Sequence, residues 1–129
     1  ESYGALSPEY ILSSDPEVIF FAGSHWTNDT GNRVLMGFDV MEGDTHKRLK
    51  PYIKRPGWDK LSAVKNNQIY AVDHAGMRSI YDYTYLQFIA KALYPGVFKD
   101  VNPIENHKEF YEKYLPVEAV GTFMTKIPD

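Results

Sequence analysis

Two short polar stretches hold the residue types that could do chemistry. Residues 23–32 carry His25 and Trp26, with Ser24 and Asn28 beside them. Residues 73–78 carry Asp73, His74 and Arg78, and Tyr81 follows closely. An indole stacks on flat rings, an imidazole changes its proton state near neutrality, and a guanidinium forks onto anions. That set suits contact with a ligand. A second reading joins His25, Asp73 and His74 into a small hydrolase or transferase site. The sequence shows no nucleophile elbow and no phosphate loop to support it. A metal site from His25, His74 and Asp29 or Asp73 is conceivable, but no two histidines share a helix face. Neither a metal nor another cofactor is expected.

The elements that must position these residues are legible around residues 61–93. Asn66 and Asn67 mark a turn. Residues 68–72 follow as a strand, 73–78 as a polar loop, and 80–93 as a helix. Tyr83, Leu86, Ile89, Ala90 and Leu93 form one stripe of that helix and are expected in the core. Ligands of open α/β sheets bind at the carboxyl ends of strands, which is where residues 73–78 fall. Residues 18–22 form a continuous apolar run that predicts a strand buried on both faces. The 23–32 loop then stands after a strand as well.

The remaining segments read more plainly. Ser7, Pro8 and Glu9 open a short helix that Asp15–Pro16 stops. Residues 33–43 are ambiguous, with helical spacing interrupted by glycine. Residues 45–52 predict one or two helical turns crowded with Lys47, Arg48 and Lys50. These basic residues, with Arg55 following, could suggest a phosphate or membrane surface, but a solvated face is the preferred reading. Asn102, Pro103 and Glu105 open another helix that runs to about Tyr114. Residues 117–129 look irregular. His46 and His107 are expected on the surface.

The totals bound the class. A chain of 129 residues suffices for one domain with a real core. The net charge is −3, so electrostatics offers no case for nucleic acid. Cysteine is absent, which excludes a disulfide scaffold. No apolar run is long enough to span a bilayer. The first residue is Glu, and the chain reads as a piece of something longer.

Four ordered stretches carry a resemblance. They are Leu6-Ser7-Pro8-Glu9 with Asp15-Pro16-Glu17-Val18, Pro56-Gly57-Trp58 with the run 61–70, Ala90-Lys91-Ala92-Leu93-Tyr94-Pro95 with Phe98, and Asn102-Pro103 with His107, Phe110, Tyr111 and Tyr114. Together they resemble the C-terminal lobe of the substrate-binding proteins of ABC importers for ferric siderophores, haem and cobalamin. The resemblance implies an α/β fold. A three-layer, parallel or mostly parallel sheet is flanked by helices, as one incomplete lobe of a two-lobed, helix-bridged protein. Residues 1–129 would then be a single domain that supplies one wall of a ligand cleft outside the cytoplasmic membrane. Ligand contacts would come from His25, Trp26, His74, Arg78 and Tyr81. Glu9 would dock onto the membrane permease, besides serving as a first-turn acid. Trp26 could instead fold onto the core, and Tyr83 is expected to enter it. An uncovered sheet edge would favour self-association.

Overall fold

The computed structural model describes residues 4–26 and 28–128. The chain runs α1 (Pro8–Ser14), β1 (Ile19–Gly23), β2 (Gly37–Phe38), α2 (Glu42–Ile53), a 3-10 turn (Trp58–Lys60) and α3 (Ser62–Lys65). It continues with β3 (Ile69–Asp73), a 3-10 turn (Gly76–Arg78), α4 (Asp82–Leu93), α5 (Pro103–Tyr114), β4 (Gly121–Thr122) and β5 (Met124–Lys126). None of the described helices is long and apolar enough to cross a membrane.

The main sheet has the order β1-β3-β5. β1 and β3 run parallel from Ile19↔Ile69 to Gly23↔Asp73, and β5 pairs antiparallel with β3. β2 and β4 form a separate antiparallel pair. Strand alternation splits the core into two faces. Ile69 and Ala71 look toward Leu49 of α2 and Ala63 of α3. Val72 looks toward Tyr85 of α4, with Phe88 packed alongside. The result is the expected sandwich of a sheet between helices.

Capping signals translate directly. Ser7 caps α1 by accepting the Tyr10 N–H at 3.1 Å, and Asp15 leaves the helix in the left-handed region at φ 40°. The Asp15 carboxylate then accepts the backbone N–H of Ser62 at 2.7 Å and its hydroxyl at 2.8 Å, tying α1 to α3. Asn102 caps α5 by accepting the Glu105 N–H. Asn67 takes φ 50°, as the turn before β3 requires.

Four expectations are corrected. In β1 only Gly23 is buried, Ile19, Phe20 and Phe21 are half-buried and Ala22 is exposed, because the strand lies on the sheet's edge while β3, in the centre, is buried throughout. The α4 stripe is reversed: Tyr83, Leu86 and Leu93 are exposed, whereas Thr84 and Tyr85 are buried. The 117–129 tail is not wholly irregular: β4 pairs with β2 and β5 with β3, while residue 129 lies outside the described residues. His107 is 2% exposed, not a surface residue. The ambiguous 33–43 segment holds the short β2, turns at Asp39 with φ 58°, and becomes helical only at Glu42, where α2 begins.

Candidate functional site

Because Gly23 and Asp73 are register partners, the loops that follow β1 and β3 leave the sheet side by side. The His74 N–H donates to the Gly23 carbonyl at 2.8 Å and staples the two loops together. Gly37 lies against both, and a Cβ built on it would sit 3.9 Å from Asp73 Oδ1 and 4.0 Å from His25 Cβ. Its φ of 113° is one that side chains rarely adopt. Between these segments lies a cavity of about 180 Å³. Its polar rim includes Ser24, His25, Asp73 and Tyr81, and its aromatic wall includes Phe38 and Tyr111.

The aromatic wall is a continuous packed group. Tyr81 lies 5.2 Å from Tyr111 and 5.5 Å from His107, ring centre to ring centre. Phe38 meets Phe123 edge-on at 4.9 Å. α5 supplies Pro103, His107 and Tyr111 from one buried face, at spacings of four residues. Tyr85 lies behind the Asp73 loop. Burial pushes the hydroxyls of Tyr85 and Tyr111 well above the ordinary phenol range.

Asp73 is 6% exposed, and its Oδ2 accepts the Gly76 N–H at 3.1 Å. Burial raises its carboxyl above the usual value, while the backbone N–H groups of Gly76 and Ala75 oppose the shift. The carboxylate therefore works as a brace for its own loop. Among the described residues no hydrogen bond or ion pair joins Asp73 to His25 or His74, and no group of three or more His, Asp or Glu residues could hold a metal. Among the described residues, the hydrogen-bonded acid–histidine pair that the hydrolase reading needs is not formed.

Only two of the five candidate ligand residues, His25 and Tyr81, line this cavity. Trp26 is half-buried; its indole N–H donates to the Val34 carbonyl at 3.0 Å, and Arg33 lies 5.1 Å over its ring. His74 is half-buried beside the cavity and joins it through its backbone. Arg78 is exposed on the 3-10 turn beyond Asp73. Glu9 is exposed in the first turn of α1, an element that does not reach this cavity. Sequence reasoning missed Gly37, Phe38 and Tyr111. The helical spacing of Pro103, His107 and Tyr111 could have revealed Tyr111, but nothing local marks Gly37 or Phe38.

No curated protein matches the sequence. Among solved structures, the TroA-like periplasmic binding protein FepB from Veillonella parvula matches with a TM-score of 0.91 and 33% sequence identity. The match covers 97% of this chain and 36% of FepB, so the chain spans about a third of that protein's length. Residues 1–75, more than half the chain, match the family described as periplasmic binding protein. With a sheet, loops and helices that superpose on FepB nearly end to end, the chain belongs to the periplasmic binding protein family.

Proposed function

We propose that this chain is one lobe of the solute-binding component of an ABC importer, working outside the cytoplasmic membrane. Its ligand is an iron chelate, haem or a corrinoid. The observation that carries this reading is the cavity at the joined ends of β1 and β3, where Ser24, His25 and Asp73 meet Tyr81, Phe38 and Tyr111. Concave sites with aromatic walls and a few converging polar groups suit small, partly flat ligands. At about 180 Å³ the cavity holds only the edge of such a molecule. The lobe therefore forms one wall, and the rest of the ligand rests on parts of the protein beyond these residues. Trp26, His74 and Arg78 flank the wall and engage the ligand as the two lobes close. Glu9 pairs with cationic residues of the permease.

The exposed α4 stripe supports the single-lobe reading. Tyr83, Leu86 and Leu93 share one stripe of α4 and are exposed. In the intact protein they pack against further chain, and in the isolated chain they drive self-association.

The test is fluorescence titration of the full-length protein with a ferric catecholate, a ferric hydroxamate, haemin and cyanocobalamin. Saturable binding of one of them is expected, weakened roughly tenfold by Tyr81→Ala, about what one lost aromatic contact supplies. Binding of none of the four would overturn the ligand class. Glu9→Ala should lower uptake in cells while leaving that affinity unchanged. Equal uptake by the variant would remove Glu9 from docking.

A further inference from the structure

A second cavity shares no lining residue with the one described above. It measures about 440 Å³ and lies between the C-terminal half of α2 and the far end of the 23–32 loop. Lys47, Arg48, Tyr52 and Arg55 line it, together with Gly31 and Asn32. Residues that looked in the sequence like a solvated basic face thus converge on a concave surface.

Both arginines are held in place. Arg48 forks onto Asp29, with Nη2 at 2.7 Å and Nη1 at 3.2 Å from the two carboxylate oxygens. Arg55 lies over the rings of Tyr52, at 4.6 Å, and Trp58, at 5.7 Å. Tyr52 is anchored in turn, its hydroxyl donating to the Asn32 carbonyl at 2.7 Å. A stacked guanidinium presents its face to the ring and keeps its N–H donors in plane for a ligand.

The charges do not cancel. Asp29 offsets Arg48, and among the described residues no carboxylate lies within ion-pair distance of Lys47 or Arg55. Two positive charges therefore remain on the wall, in a chain whose net charge is −3. Two uncompensated cations match a dianion, and forked donors match a group with several acceptor oxygens. A phosphate group has both properties. A single carboxylate would leave one cation unmatched.

We propose that this cavity binds a phosphate group, carried by free phosphate or by a lipid headgroup. It is independent of the cleft at the ends of β1 and β3.

Two measurements test it. Calorimetric titration with inorganic phosphate at low salt should show saturable binding that weakens as salt is added. Flotation with phosphatidic acid vesicles, against phosphatidylcholine vesicles, asks whether the phosphate is a lipid's. The double variant Lys47→Gln, Arg55→Gln should reduce either signal at least tenfold. Both side chains are exposed, so the fold should persist, as far-UV circular dichroism would verify. Saturable phosphate binding lost in the variant supports the free anion. Binding only to phosphatidic acid vesicles, lost in the variant, supports the headgroup. No binding to either, or binding that the variant leaves intact, overturns the proposal. The iron-chelate titration reports on the other cleft and separates failure of this inference from failure of the importer reading.

Discussion

His107 shows how one residue can make stability depend on pH. Its Nδ1 lies 3.0 Å from Thr84 Oγ1, and that hydroxyl donates to the Tyr81 carbonyl at 2.9 Å. With the hydroxyl proton so committed, Nδ1 carries the ring proton and donates to Oγ1. Nε2 is then a buried lone pair with no hydrogen-bond partner among the described residues. Charging the ring would bury a second N–H with nothing to receive it. Burial accordingly lowers the His107 pKa from 6.5 to about 4. The unfolded chain takes up this proton first as pH falls. The stabilisation is therefore whole above pH 6.5 and is lost as pH drops toward 4, by on the order of 3 kcal/mol. Urea midpoints at pH 7 and pH 4.5 should differ less in His107→Gln than in the parent. Equal differences would mean that His107 is not the group responsible.

At the scale of elements, the loop after β3 owes its shape to α4. Gly76 faces the ring of Tyr85 so closely that no Cβ could be added without displacing it. Tyr85 is 1% exposed, held between the sheet and α5, and cannot swing away. Gly76→Ala should destabilise the protein by about 1–3 kcal/mol through overpacking. It should also shift the Asp73 brace, because the Gly76 N–H is that carboxylate's donor. Thermal melts check the first effect. A variant that melts with the parent would show that the loop yields instead. α4 also explains the reversed stripe. Leu86, Phe88, Ile89, Ala90 and Leu93 leave apolar side chains around much of the helix, so spacing alone cannot choose the inward face. Phe88 meets Tyr70 edge-on at 5.7 Å, and that contact with β3 helps set the rotation.

For the molecule as a whole, the exposed stripe of α4 bears on the proposed self-association. Leu86 of α4 is 62% exposed, and Ile80, just before that helix, is 79% exposed, so apolar side chains stand uncovered here. The isolated chain should sediment as a dimer or larger species at micromolar concentration, and Leu86→Lys should shift it toward monomer. A parent chain that sediments as a monomer would show that this surface needs no cover. The sequence by itself determined the pieces whose signals are local. These are the Ser7 and Asn102 caps, the Asp15–Pro16 stop, the Asn67 turn, and the two strands that lead to His25 and His74. Each depends on neighbours a few residues away, so chain order suffices to read it. Only the tertiary structure decided that β5 adds to β3, that His107 is buried, that α4 turns Tyr85 inward, and that Gly37 and Tyr111 complete the cavity. Those outcomes depend on pairings across many tens of residues, where burial chooses among faces that look alike in sequence.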